Sequence, residues 1–425
     1  MNECAQTAPL DELVELRPEK VAGNKDPYLP YIGLEHIAQG QPRLFGSLPS
    51  SASVSINCYF AEDDILFGKL RPNLRKSLRA PFAGYCSTDI LVLRAREGVL
   101  SNYAAHVFQW ERVFAAASAT AVGTKMPRTS WNELRRYRVF EPATKAEQSR
   151  IATVLDTVDE AIAKTEAVIA KLRQVRAGLL HDLLTRGLDA HGQLRDPIAH
   201  PEQFQPSPLG HIPRQWVFES LGERLQRIGG FIQTGPFGSQ LHAHEYTTEG
   251  VPVIMPQDVL EGSVSVAQIA RIPSARADEL KRHRVRLGDL IFARRGDLSR
   301  CAAITAREVG WLCGTGCLLM RFGESTLSPH WLSLAYRHDI GQRQIAARAV
   351  GTTMVNLNTK LLAHLHFAFP PREEQEAAVL RVAEADTTII QETANLSKLG
   401  VLKPGLMTDL LTGRVRVPHD METIP

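Results

Sequence analysis

The sequence predicts an α+β fold built as two copies of one plan, each a β-rich domain followed by a long helix. The strings HDLLTRG (181–187) and TDLLTGR (408–414) repeat 227 residues apart, and the segments upstream of them match at nearly the same offset. Repetition at a fixed offset indicates a duplicated architecture. Short apolar runs interrupted by Gly, Pro and Asp precede each helix, as is typical of strands.

The helices are predicted from apolar residues spaced alternately four and three positions apart, the pattern of a coiled-coil seam. In the first helix this seam runs through Ile151, Leu155, Val158, Ile162, Ile169, Leu172, Leu179 and Leu183. In the second helix it includes Val382, Ile389, Leu396, Leu399, Leu406 and Leu410. Two polar residues interrupt each seam at matching places: Thr165 and Arg176, Glu392 and Lys403.

Each helix should extend over about 38 residues, or roughly 57 Å at 1.5 Å per residue. Neither helix carries a second apolar face, so we expect the helices to pair with each other. The alternative is that each packs separately on its own domain. Pro404, which follows Gly400, predicts a kink because proline removes an amide donor.

The β-rich parts of the two copies match in order. The paired segments are 29–37 with 251–259, 64–67 with 289–292, 84–94 with 310–321, 121–126 with 349–354, and 139–142 with 368–371. Helical stretches such as 330–350 are mixed with the strands. The segment 185–216 between the copies is rich in Pro, Gly and His and is predicted to be an ordered linker.

Composition gives few direct clues to partners. The formal net charge is only +3, and the six cysteines are scattered, with Cys313 and Cys317 as the one close pair. A second pair that would complete a zinc site is missing from the sequence. The N-terminal sequence lacks a signal-peptide pattern, and no apolar stretch is long enough to span a membrane. We therefore expect a cytoplasmic protein with free thiols.

Further motifs open and close the two copies. Pro142 and Glu147-Gln148 open the first helix, Pro371 and Glu374-Gln375 open the second, and each helix closes with Asp-Leu-Leu-Thr. GHIPRQW (210–216) and TGPFGSQL (234–241), followed by GVPVI (250–254), lie at the front of the second copy. In this order the motifs resemble those of the specificity subunits of type I restriction-modification systems, in which G-x-I-P-x-x-W leads into the second domain and a segment like TGPFGSQL commonly opens a recognition domain.

The first copy departs from this pattern at its front. It has neither the lead-in nor the TGPFGS segment, and only LDELVELRPE (10–19) stands in their place. Either the first domain is abbreviated or its true start lies upstream.

The resemblance implies two target-recognition domains and an antiparallel coiled coil. The predicted boundaries are 1–142 for the first recognition domain, 143–186 for the central helix, 187–215 for the linker, 216–370 for the second recognition domain, and 371–425 for the C-terminal helix and tail. It further implies a non-catalytic subunit that reads a bipartite, asymmetric DNA target. Half-sites one helical turn apart lie roughly 34–36 Å from each other, which the helices can bridge.

The family's partners are double-stranded DNA, two modification methyltransferase subunits and one restriction-translocase subunit. The resemblance implies no cofactor in this chain. It places S-adenosylmethionine, ATP and Mg on the partners, where the target adenine is flipped out of the duplex for methylation. Outer faces of the helices would form the docking surface for the modification subunits.

Motifs of catalysis are missing, which agrees with this implication. FPPR (369–372) lacks the amide side chain of an adenine methyltransferase motif, and LCGTG (312–316) reads as a turn beside a strand rather than a cofactor loop. A phosphate-binding G-x-x-x-x-G-K-[ST] loop is also missing. HAH (242–244) could ligate a metal, but loop histidines on a surface are commoner.

Affinity for DNA comes largely from Lys and Arg on phosphates, and two basic stretches occupy corresponding places in the copies. The first, 68–79, supplies Lys69, Arg71, Arg75 and Lys76; the second, 281–300, supplies Arg284, Arg294, Arg295 and Arg300. Candidate base readers are Lys125, Arg128, Gln233, Ser239, Gln240, Asn356 and Asn358. The alternatives are a solvated charged face for the stretches and plain turn roles for the readers.

Two rival functions stay open at this point. One is a coiled-coil scaffold whose β-rich domains bind proteins or glycans. The other is a methyltransferase in its own right, which the missing motifs disfavour.

Overall fold

The structure is a computed structural model that describes residues 6–22, 26–53, 55–237, 240–323, 327–349 and 356–418. Its contacts divide the chain into two compact units. The first unit contains 1–169 and 392–425, and the second contains 170–391. Each unit therefore holds the start of one long helix and the end of the other. Whether the predicted boundaries at 142, 186, 215 and 370 separate independent domains stays a prediction.

The first unit is a mixture of short strands and helices. Its strands are β1 (Thr7–Pro9), β2 (Val14–Leu16), β3 (Lys20–Val21), β4 (Pro30–Ile32), β5 (Leu48–Pro49), β6 (Asn57–Phe60), β7 (Ile65–Gly68), β8 (Ser77–Arg79), β9 (Gly84–Ser87), β10 (Ile90–Ala95) and β11 (Arg138–Phe140). Its helices are α1 (Leu10–Leu13), α2 (Ser101–Gln109), α3 (Glu111–Ala119) and α4 (Trp131–Leu134), followed by the start of α5 (Lys145–Thr185).

The second unit repeats this order behind an added hairpin. Its strands are β12 (Phe204–Ser207), β13 (Gly210–Pro213), β14 (Val217–Ser220), β15 (Phe231–Thr234), β16 (Val251–Ile254), β17 (Glu261–Gly262), β18 (Ala270–Ile272), β19 (Leu290–Ala293), β20 (Cys301–Ala303), β21 (Leu312–Cys313), β22 (Cys317–Arg321) and β23 (His366–Phe369). Its helices are α6 (Leu221–Arg227), α7 (Ser274–Glu279), α8 (Pro329–Arg337), α9 (Asp339–Ala349) and α10 (Thr359–Ala363), followed by the start of α11 (Arg372–Leu410).

Strand pairing confirms the predicted repeat. In the first unit, one sheet has the order β2-β10-β7-β8; in the second, β15-β22-β19-β20-β17 contains the equivalent core. The strand from LPYIGLEHI pairs in parallel with β9, and the strand from VPVIMPQDV pairs in parallel with β21. β1 pairs with β11 just as β14 pairs with β23. The first copy therefore has a strand equivalent to β14, the strand that follows the β12–β13 hairpin in the second copy.

Within the segment predicted to be a linker, β12 and β13 form a hydrogen-bonded hairpin. LCGTG is a turn between β21 and β22, as predicted, with Gly316 at φ +85°. The helical prediction for 330–350 is confirmed by α8 and α9 up to residue 349. AVGTTM lies almost wholly outside the described residues.

The long helices extend a little beyond the predicted length: α5 has 41 residues and α11 has 39. Their ends are buried in the cores of the units. Ile151 and Leu155 pack with Leu410 in the first unit, and Leu183 packs with Val382 in the second. The middle of each seam, such as Leu172 and Leu396, is half-buried. Helix pairing and packing on a domain therefore both occur.

The helices are antiparallel within each unit, and the polar seam residues explain why. In the second unit, Arg176 of α5 donates two hydrogen bonds to Asp386 of α11, at 2.5 and 2.9 Å. In the first unit, Lys403 of α11 forms an ion pair with Asp159 of α5. The 227-residue offset converts one pair into the other. Of the two polar exceptions in each seam, Arg176 and Lys403 are thus members of one cross-helix ion pair that is made twice. α11 continues through Pro404, and the expected kink there stays a prediction.

We expect the Arg176–Asp386 pair to couple the helices measurably. Hydrogen bonding to Asp386 raises the pKa of Arg176, and both side chains are partly shielded from water, with 23% and 42% of each exposed. In a double-mutant cycle of Arg176→Ala and Asp386→Ala, unfolding in urea should give a coupling energy of about 1 kcal/mol. The Lys403 and Asp159 pair provides the matched second cycle. Strictly additive effects in both cycles would contradict the assignment.

Candidate nucleic-acid interface

In the first unit, the structure brings the predicted basic stretch 68–79 together with the segment that holds the candidate base readers Lys125 and Arg128. We call the surface formed by 68–76 and 122–129 the first cationic surface. The amide of Arg71 donates to Pro127 O at 2.8 Å, and the Arg71 guanidinium donates to Lys125 O at 3.2 Å. The amide of Thr129 donates to the carbonyl of Lys69. Lys69, Arg71, Lys125 and Arg128 therefore lie side by side although 54 residues separate Arg71 from Lys125.

The loop of this surface holds two arginines in the left-handed region of backbone space. Arg71 and Arg75, each at φ +49°, flank a short 3-10 turn that begins at Pro72. A side chain with a Cβ is strained in this conformation, by roughly 1–3 kcal/mol, and such strain concentrates at functional sites. Both arginines are exposed. The surrounding backbone hydrogen bonds hold the loop in place and present both guanidinium groups to solvent.

The other candidates in this unit are already engaged. Arg128 donates two hydrogen bonds to Asp89, at 2.8 and 3.1 Å, and this bond lowers the pKa of the Asp89 carboxyl. Lys76 donates to Leu34 O at 2.6 Å, which makes it a structural lysine. Arg75 lies 3.8 Å from Glu111, a loose contact.

In the second unit, the equivalent surface forms around Arg294 and Arg295. Arg294 donates to Leu357 O at 2.9 Å and lies over the Phe237 ring, 5.9 Å from its centroid. The amide of Leu357 donates back to Arg294 O. We call the segments 294–300 and 356–358 the second cationic surface. In each unit, then, the loop after the equivalent strand, β7 or β19, contacts the segment that follows α3 or α9.

Several predicted base readers in the second unit have structural partners. The Gln233 amide donates to Arg282 O at 2.8 Å. The Asn358 side chain caps α10 by accepting from the amide of Leu361. Gln240 accepts from the amide of Phe237. Asn356 is exposed, and Ser239 lies outside the described residues. None of these positions has been tested as a reader, and each stays a prediction.

Some basic side chains of the stretch 281–300 form hydrogen bonds or ion pairs, and others are exposed without such a partner among the described residues. Arg284 is held by Gly310 O and Asp278, both at 2.8 Å, and Arg300 lies 3.5 Å from Asp297. Exposed Lys281, Arg286 and Arg295 have no side-chain partner among the described residues. These three are the cations most available to phosphates. The sequence could not separate them from their neighbours.

The base of the second unit is a buried carboxylate network that the sequence motifs did not explain. Glu374, at the start of α11, accepts hydrogen bonds from Arg195, at 2.6 and 3.2 Å, from the amide of Leu188 at 2.7 Å and from Trp216 Nε1 at 3.2 Å. Gln375 accepts from the amide of Ser328 at the start of α8. The Glu-Gln and G-x-I-P-x-x-W motifs therefore meet at one place.

The first unit uses its Glu-Gln pair in the same way. Glu147 is paired with Arg416 of the C-terminal tail at 2.6 Å, and Gln148 accepts from the amide of Leu100 at the start of α2. The glutamate ties down the chain that follows the opposite helix. The glutamine accepts from the amide just before α2 in the first unit and α8 in the second. The recurrence of Glu-Gln at the start of both long helices is the sequence feature that could have predicted this network.

The 4,3 spacing used to predict the seam also left out a set of apolar side chains on the long helices. Outside the seam, Val168, Val175, Leu380, Ile390, Val401 and Leu402 are exposed. Individually such residues are ordinary on a surface. On these helices they belong to the outer faces rather than to the seam.

Among the described residues, no cluster of three or more His, Cys, Asp or Glu side chains is placed to hold a metal ion. The rings of His242 and His244 stack on each other, 5.4 Å apart. Across the same residues, no helix combines the length and apolarity needed to cross a membrane.

Comparison with known proteins gives consistent results. No protein-family model matches the chain. The MjaVIII type I restriction enzyme specificity subunit of Methanocaldococcus jannaschii is 21% identical over 401 residues, covering 92% of this chain and 87% of the relative. The provisionally named MjaX specificity subunit of the same organism is 22% identical over 241 residues. That alignment covers 52% of this chain and spans only about half, 54%, of the relative.

Solved structures show the same fold. The S subunit of a type I restriction-modification system from M. genitalium superposes with a TM-score of 0.57, at 17% identity and 96% coverage of both chains. A chain from a type I R-M system, solved to explain its complex assembly and conformational transition, gives 0.53 at 19% identity, covering 96% of this chain and 98% of that one. These likenesses confirm the fold suggested by the sequence motifs. The chain has the fold of these S subunits, and its sequence is similar to those of the two type I restriction enzyme specificity subunits above.

Proposed function

We propose that this chain is the DNA sequence-specificity subunit of a type I restriction-modification complex. Each β-rich unit binds one half of a bipartite, asymmetric target in double-stranded DNA, and the helix pair holds the units at a fixed separation. The observation that carries this proposal is the placement of an exposed cationic surface at the same point of both repeated units. The near full-length likeness to the MjaVIII specificity subunit supports it.

The partners follow from this role. Two modification methyltransferase subunits dock on the outer faces of α5 and α11, where apolar residues such as Val175, Ile390 and Val401 are exposed. A restriction-translocase subunit completes the complex. The chain itself catalyses nothing; S-adenosylmethionine, ATP and Mg are bound by the partners. Its place of action is the cytoplasm.

The direct test is selection from a random duplex library. The chain, co-expressed with a type I modification subunit, should enrich a two-part motif with a spacer of constant length. Sequencing of adenine methylation in DNA exposed to the same complex should return that motif. A complex that forms but binds all duplexes alike would refute the specificity role. A chain that methylates DNA alone with S-adenosylmethionine would revive the methyltransferase alternative.

Arg71→Gly should separate DNA binding from stability. Glycine relieves the left-handed strain at this position, which offsets the larger entropy of the unfolded chain, so the thermal midpoint should change little. Loss of one phosphate contact should weaken binding to all sequences alike and reduce the slope of log K against log salt by about 1. Fluorescence anisotropy with a 30-base-pair duplex at several salt concentrations measures both.

Arg96→Ala is the matched control for this variant. Arg96 follows β10 at the opposite end of the sheet, where it lies 3.6 Å from Glu15. Its removal changes the net charge equally but should leave the salt slope unchanged. Equal slopes for the two variants would remove Arg71 from the interface.

Shortening both long helices should change the spacer and neither half-site. Deleting residues 168–174 and 388–394 removes one heptad from each helix and keeps the Arg176–Asp386 pair. The helix pair then shortens by roughly 10 Å, or about three base pairs. Library selection should return the same half-sites with that shorter spacer. Inserting a heptad at the same points is the control and should lengthen it. An unchanged spacer length in both variants would contradict the proposal that the length of the helix pair sets the spacer.

A further inference from the structure

Two cysteines face each other across neighbouring strands of the first unit. In the antiparallel pair β6–β9, Cys58 lies directly opposite Cys86. Directly opposed residues in such a ladder have Cα atoms about 4.5–5.5 Å apart, which lies within the range that a disulfide spans. Both thiols are free. Neither belongs to the cationic surfaces or to the helix seam.

The row of side chains around this pair favours a reactive Cys58. Lys20 of β3 is the cross-strand partner of Cys58 on its other side, so Lys20, Cys58 and Cys86 project from the same face of the sheet. Cys86 is fully buried, whereas Cys58 is partly open to solvent. The hydrogen bond from Cys86, with the charges of Lys20 and Lys69, lowers the pKa of Cys58 to about 7.

We propose that Cys58 and Cys86 form a peroxide-reactive dithiol, with Cys58 as the attacking thiolate and Cys86 as the resolving thiol. The Cys58 sulfur attacks one peroxide oxygen, the O–O bond breaks, and the departing hydroxide takes a proton to become water. Cys58 is then a sulfenic acid. The Cys86 sulfur attacks the Cys58 sulfur, the S–O bond breaks, and water leaves with the proton of Cys86. Two electrons pass from the sulfurs to hydrogen peroxide.

This arrangement has the features of a redox-sensing pair. Such cysteines are thiolate-prone, reachable by solvent and placed beside a resolving cysteine. The remaining described cysteines lack these features. Cys301, Cys313 and Cys317 are fully buried, and burial raises the pKa of Cys301 to about 12 and that of Cys313 still further. They serve as internal controls for reactivity in the same molecule.

The test uses the full-length chain with Cys4→Ser, because Cys4 lies outside the described residues. After brief exposure to hydrogen peroxide, iodoacetamide labelling is read residue by residue by peptide mass spectrometry. Cys58 and Cys86 should lose labelling together and recover it with dithiothreitol. Before oxidation, Cys58 should be alkylated at least about tenfold faster than Cys301, with a pH midpoint near 7.

Two variants separate the roles of the cysteines. In Cys86→Ser, peroxide should leave Cys58 as a sulfenic acid that dimedone traps. In Cys58→Ser, Cys86 should stay reduced. The proposal is overturned if Cys58 in the folded chain is oxidised no faster than Cys301. It is equally overturned if dimedone traps Cys58 in the presence of Cys86 without any disulfide being formed.

Discussion

Glu374→Ala is expected to destabilise the second unit by roughly 3–5 kcal/mol. Glu374 and Arg195 are a buried ion pair, with 9% and 7% of their side chains exposed. Removing the carboxylate leaves the Arg195 guanidinium buried without a counter-charge. It also removes the acceptor for Trp216 Nε1 and for the amide of Leu188. Breaking a buried pair on one side is costlier than replacing both partners, because the remaining charge stays desolvated.

Glu147→Ala in the first unit is the matched comparison. Glu147 is also buried, but its partner Arg416 is 56% exposed and can be solvated once the pair is lost. We expect a loss on the order of 1 kcal/mol. Urea unfolding gives the total effect, and native-state hydrogen exchange places it. Exchange should rise over 187–216 in the first variant and over 411–418 in the second.

If the alanine variant does not fold, Glu374→Gln provides a milder variant in which the same ion pair can be tested. The amide can still accept from Trp216 but leaves Arg195 without a counter-charge, so its effect should be intermediate. Equal losses for Glu374→Ala and Glu147→Ala would show that burial of the arginine partner is not what sets the cost. No measurable loss for either variant would contradict the interpretation of the repeated Glu-Gln motif as a structural anchor.

The helices and the repeat could be predicted because their signals are local. A 3.5-residue apolar period specifies a seam whatever lies around it, and matched strings specify matched strands. Even the polar exceptions carried information. Arg176 and Lys403 hold the same place in both copies because each pairs with an aspartate, Asp386 or Asp159, of the other helix. The partner residues could not be predicted, since pairing depends on the antiparallel register.

The interface was less predictable because contacts between distant segments decide which side chains are free. Composition grouped Lys76 with Arg71, yet the half-buried Lys76 donates its ammonium to Leu34 O, whereas Arg71 is exposed and donates from one end of its guanidinium to Lys125 O. In the same way, the Asn358 side chain caps a helix. Arg294 donates to Leu357 O, whereas its neighbour Arg295 has no side-chain partner among the described residues. Residue type identifies candidates, and the fold then removes those whose hydrogen bonds it uses.

Gly187→Ala should be the most damaging small substitution in HDLLTRG (181–187). Gly187 ends α5 at φ +63°, a conformation that costs a residue with a Cβ roughly 1–2 kcal/mol. A Cβ here would lie 2.1 Å from Glu374 Oε1 and 2.4 Å from the Trp216 ring. Overpacking of this kind adds roughly 1–3 kcal/mol. The expected loss is therefore about 2–5 kcal/mol, measured as the change in the free energy of unfolding in urea.

Gly192→Ala is the matched control, because Gly192 also has a positive φ but has room where a Cβ would lie. Gly192 lies at φ +74°, and a Cβ there would meet only the end of Arg381, at 3.6 Å. Its loss should be limited to the backbone cost of roughly 1–2 kcal/mol. Gly413, after α11, repeats the crowded case, since its Cβ would lie 2.6 Å from the Phe140 ring. If alanine costs the same at 187 and 192, the glycine closing HDLLTRG serves only as a helix cap. A larger cost at 187 and 413 than at 192 means that the motif recurs because each helix end packs against a buried aromatic ring, Trp216 or Phe140.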